Sequence, residues 1–232
     1  MILEKSRGKR RLIVLVVSVT VLLFAGFSAS AEPSDAGVNY NRLPDVTAPS
    51  AILIDASSGQ VLFEKNADST RAPASLTKIM TALLAIEELE PDKTVTVDDE
   101  AADTAAKGAN IGLKEGEKIT ADDLIYAMLL PSANEAAVAA AKAIDGDTQK
   151  FAERMNEKAA ALGTNTTNFM NPNGLPETDH YTTARDMAVI ARAAMKNESF
   201  RKYAGTVSHT IPATNKSDAR DLKNGNKMLT DT

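Results

Sequence analysis

The sequence predicts an α/β fold of the α+β type, with a β-hairpin near the start, several helices after it, and a return to strand near the end. The composition is that of a globular domain, because the 232 residues are 44% hydrophobic. β-rich runs open the region after residue 50, and apolar residues then recur at helical spacing. The chain has no cysteine, which excludes disulfides and thiolate metal sites.

The first 31 residues are typical of a secretory signal peptide. A basic segment is followed by the apolar run Leu12–Phe27 and then by Ala29-Ser30-Ala31, a small-residue cleavage pattern. The apolar run is shorter than the ~20 residues needed to span a bilayer comfortably. We therefore expect cleavage after Ala31 and an exported, extracytoplasmic protein, with an uncleaved anchor as the alternative.

Residues 32–49 contain three prolines and no periodicity, so we interpret them as a linker before a domain at 50–232. The first 31 residues carry a net charge of +4, and the whole chain carries −5, so the remainder carries −9. An acidic domain of this kind is a poor nucleic-acid binder. We expect no nucleic-acid partner.

The elements of the domain follow from its patterns. Ala51–Ala56 and Gln60–Glu64 flank the turn residues Ser57-Ser58-Gly59, which predicts a hairpin. Further predicted elements are a helix from Ser75 ended by Pro91, a short extended piece at Val95–Val97, helices at Thr120–Leu130, Glu135–Ile144, Gln149–Leu162 and Thr183–Lys196, and a strand at Thr206–Ile211. A lone hairpin is not a stable sheet. We therefore expect residues beyond Thr232 to complete it.

Ser75 and Lys78 are the first candidate site residues. Positions i and i+3 lie on one helical face, about 5–6 Å apart at Cβ, within reach of proton transfer from a hydroxyl to an amine. The same Ser-x-x-Lys spacing also occurs at Ser6, in the leader, and at Ser199, in a polar turn. Only Ser75 precedes a long helix that is apolar nearly all round, as a buried helix is. The structural alternative is that Ser75 is an N-cap.

A lysine base needs a low pKa. Lysine starts near pKa 10.4, and acting near pH 7 requires a drop of about 3 units, or about 4 kcal/mol. A helix N-terminus disfavours a cation by only ~0.3–1 kcal/mol, so desolvation must supply most of the shift for Lys78. The same helix start directs backbone N–H groups at a developing oxyanion.

Ser132 and Asn134 form the only Ser-x-Asn in the chain, just after Pro131 and between two predicted helices. They are the second pair of candidate site residues. The structural alternative is a capping box made by Ser132 and Glu135 for the following alanine-rich helix. The two interpretations are compatible.

A third block runs from Asn171 through His180 to Asp186. Its Asn-Pro-Asn-Gly-Leu-Pro start predicts a turn-rich loop, and Thr183 with Asp186 predicts a cap for the next helix. His180 is a candidate general base, although a lone loop histidine more often supports other residues or lies on the surface. No His and carboxylate cluster has ligand spacing, so we predict no metal and no cofactor.

Taken together, these blocks resemble the serine D-Ala-D-Ala carboxypeptidases, the low-molecular-mass penicillin-binding proteins. The likeness covers most of Ser50 to Thr232. It is carried by Ile54-Asp55 with Gly59-Gln60-Val61-Leu62, by Pro73 to Thr81, by Ser132 to Ala137, and by Asn171 to Asp186. It implies a β-lactamase/transpeptidase-like fold, with an antiparallel sheet, flanking helices and an all-helical lobe.

The resemblance also implies roles. Ser75 would be the nucleophile that forms an acyl-enzyme, and Lys78 the base that activates it. Ser132 would relay a proton toward the leaving D-Ala, and Asn134 would orient substrate and Lys78. The implied partners are peptidoglycan stem peptides as substrate and β-lactam antibiotics as covalent inhibitors.

One family motif is absent, because no Lys-Thr-Gly occurs in this chain. In the family that strand follows the region where this sequence stops, and it supplies half of the oxyanion hole. We therefore expect an N-terminal portion that lacks the C-terminal sheet strands and is incomplete as a catalyst, since one lost oxyanion donor costs on the order of 10²–10³ in rate. Peripheral membrane association through a C-terminal region absent here is also expected from the family.

Two alternatives stay open at this stage. A class A-like β-lactamase needs a deacylating glutamate, and the Asn171-Pro172-Asn173-Gly174 loop offers none, while Glu153 reads as a surface residue. A non-catalytic cell-wall-binding protein of the same fold would not need Ser75, Lys78, Ser132 and Asn134 together. Slow penicillin turnover would favour the carboxypeptidase over the β-lactamase.

Overall fold

The computed structural model describes residues 45–230, and those from Val46 onward form one unit. The predicted signal peptide and most of the predicted linker lie outside the described residues. The strands are β1 (Ala51–Ile54), β2 (Val61–Lys65), β3 (Thr94–Thr96), β4 (Lys118–Thr120), β5 (Ser208–Ile211) and β6 (Arg220–Lys223). The helices are α1 (Thr77–Glu88), α2 (Asp99–Thr104), α3 (Ala121–Leu129), α4 (Asn134–Asp145), α5 (Thr148–Ala161), α6 (Ala184–Lys196), α7 (Glu198–Ala204) and α8 (Lys227–Thr230). This mixture confirms the predicted α+β class.

The described strands pair into three separate two-stranded antiparallel sheets, β1–β2, β3–β4 and β5–β6. The first confirms the predicted hairpin. Its turn closes through Gly59, which donates its N–H to the Asp55 carbonyl at 2.8 Å and has a φ of +82° that favours glycine. Strands β3 and β5 confirm the predicted extended pieces. Strands β4 and β6 were not predicted, because each is three or four residues long with one buried apolar side chain, Ile119 or Leu222.

Helix α1 lies in the interior, as predicted. Eight of its twelve residues are buried, and it packs against α3, α4 and α6. Helix α4 is also buried, because its alanine-rich stretch from Ala136 to Ala141 lets neighbouring helices approach closely. No helix within residues 45–230 is long and apolar enough to cross a membrane.

A second apolar cluster supports the segment that follows α5. Phe151 and Met155 of α5, Ile190 of α6 and the ring of Phe169 pack together and are fully buried. The chain then runs through the turn-rich segment before α6. This segment is tied to the stretch before α1 by a pair of hydrogen bonds, each 2.8 Å long, between the backbones of Arg71 and Thr182. The third sequence block is therefore held beside the start of α1.

The structure excludes two structural alternatives and corrects one prediction. Ser75 is not an N-cap, because it lies in the 3₁₀ helix Ala74–Leu76 and makes no side-chain cap bond. Ser132 and Glu135 form no capping box, because α4 begins at Asn134 and the Glu135 carboxylate turns inward to other backbone groups. The predicted polar turn around Ser199 is helix α7, capped by the Asn197 side chain, with buried aromatic residues three positions apart.

Candidate active site

The candidate site is centred on the ammonium group of Lys78, in the first turn of α1. The residue is 2% exposed, although its Nζ is a group that water normally surrounds. Nζ donates to Asn134 Oδ1 at 2.7 Å, to the Asn173 carbonyl at 2.7 Å and to Ser75 Oγ at 3.4 Å. The three acceptors come from three parts of the chain, and all are uncharged. The lysine is thus fully bonded without a direct ion pair.

Ser75 lies on the exposed side of this arrangement. The preceding residue, Ala74, has a φ of +49°, which is unusual for a residue with a side chain. Such strain persists only where the surroundings enforce it, and it is frequent at active sites. The bond from Lys78 to Ser75 Oγ is long, as catalytic hydrogen bonds often are before substrate binds. The geometry therefore presents a hydroxyl to solvent with an amine behind it.

The turn at Asn173-Gly174 forms the wall that buries Lys78. A side chain on Gly174, whose φ is +84°, would overlap the carbonyl group of Ala74. Glycine is required there because the turn presses directly on the segment that carries Ser75. Thr81, one turn along α1, donates to the Pro172 carbonyl at 2.6 Å and holds the same turn in place.

Asn134 and Ser132 reach the site differently. Asn134 is buried at the first position of α4, and its side-chain oxygen accepts from Lys78. Ser132 lies two residues earlier in the connection from α3, half-buried, with a φ of +67°. Within the described part of the chain, its hydroxyl has no hydrogen bond to Ser75 or Lys78. The structure therefore joins three of the four predicted site residues by hydrogen bonds, and Ser132 is not one of them.

His180 is buried and acts as a support. Its Nδ1 accepts the Met170 N–H at 3.1 Å, which assigns the proton of the neutral ring to Nε2. Nε2 then donates to Thr77 Oγ1 at 2.9 Å, next to Lys78. Burial lowers the pKa of His180, partly opposed by Glu177, so the ring is neutral near pH 7.

Burial also sets the protonation of Lys78. Removal from water lowers its pKa from 10.5 to about 8, and the negative charge of Glu135 opposes that shift. This agrees with the expectation from the sequence that desolvation supplies most of the decrease in the pKa of Lys78. An amine with this pKa is neutral in about one tenth of molecules at pH 7, enough to accept a proton from a hydroxyl.

Sequence reasoning missed two groups of the site. One is the main-chain carbonyl of Asn173, which no side-chain motif could reveal, although Asn173-Gly174 lies in a block that was singled out. The other is Glu135, which was assigned to a cap. The pattern that could have indicated a buried Glu135 is a charged residue in the first turn of an alanine-rich, buried helix.

A separate cluster brings Asp122 and Asp123 to His209, about 86 positions apart in sequence, with ligand atoms within 4.8 Å of one another. Each group already has a partner. His209 Nε2 is 2.7 Å from Asp123 Oδ1, its ring stacks on Tyr126, and Tyr203 donates to Asp122 at 2.6 Å. These contacts explain the cluster as a set of structural interactions that hold α3, α7 and β5 together.

Comparison with known proteins places this geometry in a family. A family model described as D-alanyl-D-alanine carboxypeptidase matches residues 37–232. The chain is 39% identical over 201 residues to D-alanyl-D-alanine carboxypeptidase DacF of Bacillus subtilis, covering 85% of this chain and 51% of the relative. It is 38% identical over 175 residues to DacB2 of Mycobacterium tuberculosis, covering 75% and 59%.

Solved structures of bacterial proteins also resemble this chain in fold. The crystal structure of DacD from Francisella tularensis matches with a TM-score of 0.71 and 37% identity, over 76% of this chain and 44% of that one. The Streptomyces K15 DD-transpeptidase matches with a TM-score of 0.74 and 32% identity, over 81% and 77%. The chain thus spans about half to three fifths of the length of the two curated relatives.

Proposed function

The chain belongs to the D-alanyl-D-alanine carboxypeptidase family, and we propose that the protein is a serine-type D-Ala-D-Ala carboxypeptidase of peptidoglycan stem peptides. The observation that carries the proposal is the buried Lys78 amine, which is bonded to Ser75 and has a pKa of about 8. A buried lysine beside an exposed serine is the arrangement that base-activated acyl transfer requires.

The proposed reaction assigns one role to each residue. Lys78 Nζ in its neutral form takes the proton of Ser75 as Oγ attacks the penultimate D-Ala carbonyl. The peptide C–N bond then breaks, Ser132 relays a proton to the departing amine, and an ester to Ser75 remains. Water hydrolyses the ester, releasing the shortened peptide and restoring the hydroxyl. Asn134 keeps Lys78 oriented throughout, which its 2.7 Å bond supports.

Two kinds of partner follow from this proposal. Stem peptides ending in D-Ala-D-Ala are the substrates, and β-lactam antibiotics are covalent inhibitors that acylate Ser75. The basic and apolar N-terminal pattern supports a signal peptide at 1–31. The proposal also includes a linker at 32–49 and a catalytic domain over 50–232. We place the protein outside the cytoplasm, at the cell wall or the outer face of the membrane. Peripheral membrane association through sequence beyond Thr232 is part of the same proposal.

The test is covalent labelling with a fluorescent penicillin, together with release of D-Ala from a stem pentapeptide, using the full-length natural protein. We expect one label per chain, on Ser75, with slow turnover. Ser75→Ala should abolish it. Ser199→Ala is the matched control, because Ser199 has the same spacing to a lysine but is exposed on α7, and labelling should persist.

Folded protein that neither labels nor releases D-Ala would refute the proposal and favour a non-catalytic cell-wall-binding role. Rapid hydrolysis of the penicillin would instead favour a β-lactamase. Either result contradicts the carboxypeptidase assignment.

A further inference from the structure

Glu135 is a fully buried carboxylate that the proposed reaction does not use. It is the second residue of α4, directly after Asn134, and is 0% exposed. Its Oε1 accepts the N–H groups of Ile111 at 2.7 Å and Gly112 at 3.1 Å. Its Oε2 is buried and has no hydrogen-bond partner among the described residues. A buried carboxylate with an unpartnered oxygen is costly, so its presence here calls for a role.

The first contact of Glu135 is with the segment 108–112. This segment is held by both residues at the head of α4, because the Asn134 N–H also donates to the Ala109 carbonyl at 2.8 Å. A Cβ on Gly108 would lie 3.0 Å from the Asn134 side-chain nitrogen, so the segment presses closely on the amide that binds Lys78. The position of Asn134 therefore depends on where the segment is fixed.

The second contact is electrostatic. Three ionisable side chains from three elements bear on Lys78: Ser75 of the 3₁₀ turn accepts its hydrogen bond, the charge of Glu135 on α4 raises its pKa, and His180 from the loop before α6 is bonded to the neighbouring Thr77. The serine is neutral and burial keeps the histidine neutral near pH 7. Glu135 thus supplies a negative charge that favours the protonated lysine, without a direct hydrogen bond to it.

We propose that Glu135 is a positioning residue of the acyl-transfer site. One oxygen fixes the 108–112 segment against Asn134, and the buried negative charge sets how readily Lys78 loses its proton. The inference rests on the proposed function only in its consequence for catalysis, since the effect on Lys78 is a property of the folded chain.

The test is Glu135→Gln, which removes the charge and keeps the shape. The amide oxygen can accept from Ile111 and Gly112, while the amide nitrogen takes the place of the unpartnered Oε2. The pKa of Lys78 is followed by NMR titration of lysine labelled with ¹³C at Cε, and its resonance is assigned by its loss in Lys78→Arg. We expect the affinity of Lys78 for its proton to fall about tenfold in Glu135→Gln.

Glu117→Gln is the matched control, because Glu117 is also a fully buried glutamate in the described part of the chain but pairs with Arg220 instead. It should leave the pKa of Lys78 unchanged. An unchanged pKa in Glu135→Gln, or an equal change in Glu117→Gln, would overturn the proposal.

Glu135→Asp keeps the charge and shortens the side chain, so it separates the two contacts. We expect the pKa of Lys78 to stay near that of the natural chain, while amide hydrogen exchange at Ile111 and Gly112 becomes faster. Unchanged exchange would contradict the positioning role. If Ser75 takes no penicillin label but Lys78 responds as described, the proposed function fails and this inference stands.

Discussion

Glu117 and Glu135, the two fully buried glutamates within residues 45–230, show how the same side chain serves two different purposes. Glu117 receives two hydrogen bonds from Arg220, at 2.7 and 3.0 Å, and others from Thr214 and the Lys114 N–H. Burial raises its pKa, but these donors outweigh burial and hold the pKa below its usual value. Both oxygens are satisfied, which is what a structural ion pair requires.

Glu135 differs at each of these points. Glu135 acts on Lys78 through its charge, without a hydrogen bond between them. Lys78 donates its hydrogen bonds to uncharged acceptors instead. The Glu117 pair keeps its arginine permanently charged, whereas the Glu135 arrangement leaves a lysine able to lose a proton. Both oxygens of Glu117 therefore receive hydrogen bonds, whereas Oε2 of Glu135 receives none from the described residues.

The largest expected effect comes from exchanging the cations. Lys78→Arg puts a permanently charged group where a base is needed, so acylation of Ser75 should fall by about 10²–10⁴. Arg220→Lys should leave acylation unchanged but lower the free energy of unfolding by about 1–3 kcal/mol, because the paired donors to Glu117 are lost. Penicillin labelling and urea unfolding measure the two effects. Normal labelling in Lys78→Arg would contradict the assignment of the base.

Replacing the carboxylates of Glu117 and Glu135 should change the free energy of unfolding by different amounts. Glu117→Ala leaves the Arg220 side chain, which is only 12% exposed, without its carboxylate partner, and we expect a loss of about 3–5 kcal/mol in the free energy of unfolding. Glu135→Gln keeps its backbone hydrogen bonds and should lose only about 1–2 kcal/mol. Chemical denaturation at pH 7 provides the measurement, and equal losses would show that Glu135 is as structural as Glu117.

A smaller effect is expected from replacing Gly174, which packs against the segment that carries Ser75. Gly174→Ala combines a left-handed φ with overlap on Ala74, so we expect a loss of about 2–4 kcal/mol and slower acylation. Gly146→Ala has a similar φ of +73° at the end of α4 with open space around it, and it should cost about 1–2 kcal/mol alone. Matching losses in both variants would mean that the turn is not pressed against the site.

The sequence allowed prediction of the long helices, because α3 to α6 carry strong helical periodicity and clear capping residues such as Thr183. It also predicted Ser75, Lys78 and Asn134 as site residues, and hydrogen bonds from Lys78 join these three in the structure. The prediction that residues beyond Thr232 complete the sheet stays a prediction.

Other features could not be predicted, since they depend on contacts distant in sequence. Strand β6 is polar and short, and it is defined by pairing with β5 rather than by its own pattern. The Asn173 carbonyl and Lys78 are 95 residues apart, and a backbone oxygen leaves no mark in side-chain motifs. Glu135 was misread because a Ser-x-x-Glu pattern fits a cap as well as it fits a buried charge.

The most direct test of the account is the pH dependence of Ser75 acylation by a penicillin, measured in the full-length protein with the adduct located by mass spectrometry. Lys78 accepts a proton only as the neutral amine, which predominates above its pKa of about 8. The rate should therefore rise about tenfold per pH unit on the acid side and level off above pH 8. An acylation rate that does not change with pH below 8, or an adduct on a residue other than Ser75, would contradict the assignment of Lys78 as the base and Ser75 as the nucleophile.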